Sequence, residues 1–274
     1  MTSGPPESMA TSTDPLIGIE LGNYRVEEKL AEGGMGLIYR AVHTLIGRQA
    51  AIKVLSHRYS DDLNMIKRLH REARAVNRIG HPNIVDIFDF GQTPDGRQYF
   101  AMEFLQGANL GQIIETDGPL PWAITSQILT QALDAIAAAH DMGIIHRDIK
   151  PENIFVHIGD DDAVTTKVLD FGIAKSVGVG PEGEKLTRAG SVMGTPEYIA
   201  PEQIRGKNVD GRADLYALGV ILYEMVTGRR PYNSDKVMNL LMAHLRDPIP
   251  PLGPVAPELG VPDSIIDLIP QAMA

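Results

Sequence analysis

Strands and helices are segregated along this chain, and that ordering limits its fold more than any other feature. Up to residue 103 the text reads as short strands with one helix among them. After Gly107 it reads as helices. Residues 24–30 and 37–43 alternate apolar and polar, and 50–55 is a brief apolar run between polar neighbours. Residues 84–90 and 98–103 read as two further strands joined by a turn at 93–96. Helices are expected at 122–139, 213–226 and 235–245, with a shorter one near 265–273. The 213–226 segment is apolar nearly all round, which requires burial in a large core. No unit recurs, so a repeat architecture is excluded.

Composition removes several classes of function. The chain has 274 residues and no cysteine, so disulfides, thiolate metal sites and cysteine nucleophiles are excluded. Its longest stretch without a charged residue, 118–133, contains proline and several polar residues and is no membrane span. The formal net charge is −10, which repels nucleic acid unless cations are gathered on one face. No Lys or Arg precedes Arg25, so the basic start of a secretory signal is missing. Residues 1–22 are rich in Ser, Thr, Pro and Gly without any period, and are expected to form a disordered tail.

The helix at 61–79 carries an anomaly. Met65, Ile66, Leu69, Ala73 and Val76 fall on one face, and Lys67, Arg68, Arg71, Arg74 and Arg78 on the other. Glu72 lies between Leu69 and Val76, on the apolar side, where a carboxylate needs a cationic partner. Lys53, flanked by apolar strand neighbours, is either snorkelling at an edge or facing a polyanion. A Lys53–Glu72 ion pair explains both residues at once.

Two further clusters carry chemistry. Glu32-Gly33-Gly34-Met35-Gly36 lies between two strands, where glycines make a hairpin turn or let the backbone approach a phosphate. It is neither a Walker loop, since no Gly-Lys-Ser/Thr follows, nor a dinucleotide fingerprint, since a strand rather than a helix follows. His146-Arg147-Asp148-Ile149-Lys150-Pro151-Glu152-Asn153 is followed by Asp170-Phe171-Gly172. Two acids and an Asn separated by apolar strands suit Mg²⁺, which takes oxygen ligands from one or two carboxylates and from substrate phosphates.

Taken together and in this order, these motifs resemble the eukaryotic-type protein kinases of the serine/threonine class, and the bacterial members most. The resemblance runs from about Tyr24 to near the last residue. It includes the Gly-rich loop, Lys53, Glu72, the 146–153 loop, Asp170-Phe171-Gly172, the GTPEYIAPE stretch at 194–202 and a buried Asp214. It implies a two-lobed α+β fold. An N-lobe of five antiparallel strands and one helix would span residues 23–105, and a mainly helical C-lobe 106–274. The implied activity is transfer of the γ-phosphoryl group of MgATP, with Mn²⁺ as a substitute metal, to Ser or Thr hydroxyls of proteins, autophosphorylation included. A pseudokinase or weakly active fragment that binds ATP or partners without efficient turnover is the alternative.

The resemblance also assigns roles. Leu30, Ala31, Glu32, Gly33, Gly34, Met35, Gly36, Leu37, Ile38 and Ala51 would border the nucleotide, with the three glycines over its phosphates. Lys53 would bind the α- and β-phosphates and be held by Glu72. Met102 would stand behind the adenine, and Glu103 and Leu105 would offer it backbone hydrogen bonds. Asp148 would accept the substrate proton, Lys150 would steady the γ-phosphate, and Asn153 and Asp170 would hold Mg²⁺. Lys150-Pro151-Glu152 and Gly194-Thr195-Pro196-Glu197 are similar to the serine/threonine rather than the tyrosine class. Thr195 would contact Asp148 or Lys150. His146 would support its loop beside Phe171, and Trp122 would serve in packing. Thr187, then Ser191, would be the autophosphorylation sites, read by Arg147. Two copies would meet for that reaction. The domain would be cytoplasmic, with a membrane anchor elsewhere in a longer protein compatible with it.

Two departures from the family pattern carry expectations. The first glycine of GxGxxG is Ala31, whose β-carbon is expected to alter the stiffness of the loop and weaken ATP binding without abolishing function. The chain also stops short of the family's final Arg-bearing segment, which would pair with Glu202. It is therefore expected to be part of a longer protein, with the apolar face of Ile265, Ile266, Leu268 and Ile269 uncovered.

Overall fold

The alternation in the first hundred residues resolves into one antiparallel sheet of six strands. The structure is a computed structural model, and it describes residues 14–34, 36–59, 63–160, 163–171, 195–206, 209–252 and 259–274. The strands are β1 (Glu20–Leu21), β2 (Tyr24–Gly33), β3 (Gly36–His43), β4 (Gln49–Leu55), β5 (Ile87–Gln92) and β6 (Gln98–Glu103). They lie in the order β1-β2-β3-β4-β6-β5, every neighbouring pair antiparallel. By contacts the chain divides into two units, Met1–Asp62 with Ile87–Phe104, and Leu63–Asp86 with Leu105–Ala274. The smaller contains the sheet.

Period-two alternation builds the smaller unit's core. Tyr24 and Val26, Tyr39 and Ala41, Ala50, Ile52 and Val54, and Tyr99 and Ala101 turn to one face and are buried together. Leu16 and Leu21 complete this cluster. The expectation of a disordered tail over 1–22 is thus corrected for residues 14–22. Asp14 accepts the Leu16 N–H at 3.0 Å and the Tyr39 hydroxyl at 2.9 Å. Gly18 N–H donates to Val26 O at 2.8 Å, and Val26 N–H to Ile19 O at 3.0 Å. Burial, with Asp14 beside it, holds the Tyr39 phenol well above its ordinary pKa. The sheet therefore has six strands rather than five, because β1 comes from this segment.

The larger unit is mainly helical. It contains α1 (Leu63–Asn77), β7 (Ala108–Asn109), α2 (Leu110–Asp117), α3 (Trp122–Asp141), β8 (Ile154–Ile158), β9 (Val164–Val168), α4 (Pro201–Ile204), α5 (Arg212–Thr227), α6 (Val237–Arg246) and α7 (Asp263–Ala272). The expected N-lobe helix, α1, groups with this unit, and Val76 enters its core. α2 begins with a reciprocal cap: Asn109 Oδ1 accepts the Gln112 N–H, and Gln112 Oε1 accepts the Asn109 N–H.

Helix α5 is buried at every position except Arg212, Leu215 and Glu224, as its all-round apolarity requires. It ends at Gly228, whose left-handed conformation lets its N–H return to Glu224 O. Around it lie Ile128, Ala132, Ala135 and Ile136 of α3 and Ile269 of α7. A β-carbon at Gly219 would come within 3.0 Å of Ala272 Cβ and Met273 Cγ, so glycine permits the close approach of α5 and α7. Ile265 and Ile266 pack on this core and Ile269 is buried, while Leu268 is exposed. The α7 face expected to be uncovered is therefore largely covered. Trp122 also packs on the core.

β7, β8 and β9 form a small antiparallel sheet in that order. Side chains meet the backbone of β9. Gln127 Oε1 of α3 accepts the Val164 N–H at 3.3 Å. Gln131 Nε2 donates to Val164 O at 2.7 Å, and its Oε1 accepts the Thr166 N–H at 2.9 Å. Asn83 Nδ2 donates to Thr166 O and to Gln131 Oε1, both at 2.8 Å.

Candidate active site

In the smaller unit the Gly-rich segment is the hairpin between β2 and β3, with Gly33 facing Gly36, Glu32 facing Leu37 and Ala31 facing Ile38. Gly36 has φ 147°, and a β-carbon there would stand 2.0 Å from Val54 O. No larger residue fits. At Gly33 and Gly34 a β-carbon would meet nothing within 4 Å, which is the open backbone a phosphate can approach. Ala31 is paired in β2. Among the described residues only Arg147 and Asp170 are non-glycines with positive φ, so the departure from glycine at Ala31 costs no backbone strain.

Lys53 is half-buried in the middle of β4, between Ile38 on β3 and Phe100 on β6. Ala51, two residues earlier on the same strand, is buried and pairs with Met102. Met102 and Glu103 close β6 and are half-buried, as are Leu37 and Ile38, while Leu30 is exposed. Leu105, also half-buried, belongs to the larger unit, as does Glu72 on α1. Met35, Thr187 and Ser191 lie outside the described residues.

In the larger unit the 146–153 loop is assembled around one buried carboxylate. Asp214, at the start of α5, is 1% exposed. Its Oδ1 accepts the Arg147 N–H at 2.8 Å, and its Oδ2 accepts the His146 N–H at 2.9 Å and meets His140 Nε2 at 2.8 Å. This clamp holds Arg147 at φ 63°, a conformation that costs a non-glycine roughly 1–2 kcal/mol. The next residue is Asp148, buried at 9% exposure.

His146 supports the loop from below. Its ring lies 4.6 Å from that of Phe171. Nδ1 accepts the Asp148 N–H at 3.3 Å, so Nε2 carries the proton it gives to Leu169 O at 2.8 Å. Burial pushes its pKa below the ordinary histidine value, which keeps this neutral tautomer. The expected supporting role of His146 is thereby seen.

Asn153 closes the loop. It is buried, and its Nδ2 donates to Asp148 O at 2.9 Å, which turns the amide oxygen the other way as an acceptor. Its own carbonyl accepts the Leu169 N–H at 2.8 Å, which ties the loop to the approach to Asp170. Asp170, at φ 53°, is the second strained residue. One amide oxygen and one carboxylate, with the remaining positions left to phosphates and water, make a donor set that fits Mg²⁺. Lys150 Nζ donates to Thr195 Oγ1 at 3.1 Å, the contact expected of Thr195.

Some neighbours were not visible in the sequence. Gln203 of α4 accepts the Ala200 N–H through Oε1 and donates through Nε2 to Arg147 O, each at 3.1 Å. Tyr198 donates to Glu224 at 2.6 Å, and Arg230 pairs with Glu197 at 3.1 Å. Burial raises the Glu224 pKa. Apart from the Gln203–Ala200 bond, these pairs join residues far apart in sequence, with no local pattern to announce them.

Comparison with known proteins decides the family. Residues 24–265 match the protein kinase domain. The chain belongs to the protein kinase family. This kinase domain is 48% identical over 247 residues to the serine/threonine-protein kinase Pkn1 of Myxococcus xanthus, covering 90% of this chain and 35% of that protein. It is 42% identical over 263 residues to pkn3 of the same organism, covering 96% and 48%. It is 38% identical over 248 residues to PknA of Mycobacterium tuberculosis, covering 89% and 56%. The kinase domain thus spans between about a third and just over half of the length of these relatives. Among the described residues no helix is long and apolar enough to cross a membrane.

Proposed function

We propose that this kinase domain transfers the γ-phosphoryl group of MgATP to serine and threonine hydroxyls of proteins, its own included. The observation that carries the reading is Asp148, a buried carboxylate on a loop that also supplies Lys150 and Asn153 and is fixed through Asp214. In this reading Asp148 accepts the proton of the incoming hydroxyl and orients its oxygen. Lys150, steadied by Thr195, balances charge on the transferred group. Asn153 and Asp170 hold the metal, and Lys53 holds the α- and β-phosphates. The open backbone at Gly33 and Gly34 closes over the phosphates, while Met102, Glu103 and Leu105 border the adenine. Bound MgATP supplies the phosphoryl group and neutralises much of its charge.

Regulation follows the same chemistry. Thr187 and then Ser191 are the proposed autophosphorylation sites, and a phosphate there adds ~−1.5 to −2 charges for the exposed Arg147 to meet. Two copies meet for that transfer, and the reaction draws on cytoplasmic ATP.

The test is label transfer from γ-³²P-ATP to the chain itself and to a library of Ser and Thr peptides. Asp148→Asn is expected to lower the rate at least about a hundredfold, and Lys53→Met by more than about tenfold. Transfer undiminished in both variants would refute the assignment. A folded parent that binds ATP without transferring label would establish the pseudokinase reading instead.

A further inference from the structure

We infer that Gln203 is a positioning residue for Asp148, an inference that rests on the kinase reading above. Arg147 and Asp148 share one peptide unit. A peptide unit is planar, so the direction of the Arg147 carbonyl also sets the direction from which Asp148 leaves it. Arg147 itself sits at φ 63°, away from the conformation it would adopt unaided.

The structure grips this residue at both ends. Its N–H goes to Asp214 Oδ1 at 2.8 Å, and its carbonyl takes the Gln203 amide at 3.1 Å. Asp214 alone fixes the entry to the strained residue; Gln203 fixes its exit, which is where Asp148 begins.

The Gln203 amide has no choice of orientation. Its Oε1 accepts the Ala200 N–H at 3.1 Å, so the NH₂ end is the one left facing Arg147 O. Ala200 lies in the stretch that follows Thr195, whose hydroxyl receives Lys150. The segment from Thr195 to Gln203 therefore touches the 146–153 loop on both sides of Asp148, at Arg147 and at Lys150. A displacement of this segment would be felt at the catalytic carboxylate through both contacts.

Glutamate separates positioning from mere capping. Gln203→Glu keeps an oxygen for the Ala200 N–H and adds a negative charge in the first turn of a helix, which is favourable there. It replaces the donor to Arg147 O with an acceptor. Gln203→Met removes both bonds. For Gln203→Glu the expected result is an unchanged melting temperature, an unchanged KM for ATP and a kcat lower by about tenfold. Amide exchange at Arg147 and Asp148 should quicken by a similar factor, with α5 unaffected. Exchange reads loop order whether or not the parent transfers phosphate, so an inactive parent refutes the kinase reading and leaves this measurement to decide the inference. If Gln203→Met alone lowers stability or kcat while Gln203→Glu matches the parent, the residue is a cap and the inference falls. Faster exchange in an active enzyme with kcat unchanged also overturns it.

Discussion

Replacing Asp214 with asparagine is the sharpest perturbation of this domain. The carboxylate takes three donors on two oxygens: His146 N–H and His140 on Oδ2, and Arg147 N–H on Oδ1. An asparagine keeps one acceptor oxygen. Turned to preserve the two contacts on the Oδ2 side, it presents an NH₂ group to the Arg147 N–H. One charge-assisted bond is lost, worth about 1.5–3 kcal/mol, and a partly buried N–H is left without an acceptor. The two retained bonds lose their charge. A total of about 3–4 kcal/mol is expected, a large part of a domain stability of about 5–15 kcal/mol. For a unit of this size that lowers the melting temperature by roughly 10 °C. Released from Oδ1, Arg147 can also relax from its left-handed conformation, so kcat should fall by more than about tenfold even at temperatures where the variant is folded. Calorimetry and phosphoryl-transfer kinetics on the same preparation make the test. A variant within about 0.5 kcal/mol of the parent in stability, or one destabilised with kcat intact, would refute the reasoning, because it would show that the carboxylate does not hold the loop.

Three other outcomes are expected. Gly36→Ala puts a β-carbon 2.0 Å from Val54 O and should cost roughly 2–3 kcal/mol by thermal melting, whereas Gly33→Ala, with open space around it, should melt within about 2 °C of the parent. His244 is buried beside Tyr216 and Tyr232, and its pKa is pushed down to about 4 from an ordinary 6.5. Above pH 6.5 the ring is neutral folded or unfolded and its contribution is complete. As the pH falls from 6.5 to about 4 the unfolded chain alone takes up the proton, and ~3 kcal/mol is lost. His244→Gln should therefore flatten the acid limb of stability against pH. Finally, removing residues 1–22 strips Leu16, Leu21 and the Asp14 bond from the sheet and should lower the melting temperature by several degrees.

The sequence revealed this fold wherever a signal was long or periodic. The α5 stretch announced its burial by having almost no polar face. The strands of the sheet announced themselves by alternation, and Glu72 stood out as an acid on an apolar stripe. Residues 14–22 escaped notice because β1 has only two residues, too few to show a period, within a composition typical of disorder. Ile84 was expected to open β5 but forms only a single parallel bridge to Val168, since the strand begins at Ile87. In the candidate site, residues whose proposed roles rest on their own chemistry were visible. The amides that hold them, Gln203 above all, were not, because a glutamine 56 residues from its partner carries no local sign of the bond.

The glutamines of α3 have a consequence beyond the fold of one chain. β9 is the last strand of its small sheet, and such a strand would normally leave a row of backbone donors and acceptors open to a strand from another molecule. Here the Val164 N–H and carbonyl and the Thr166 N–H and carbonyl are each taken by the amide of Gln127, Gln131 or Asn83. Side chains imitate a neighbour strand at Val164 and Thr166, and the backbone of Asn83 and Val85 takes Val168, which closes the edge. Loss of Gln131 would then appear first as self-association on warming, before any fall in catalysis.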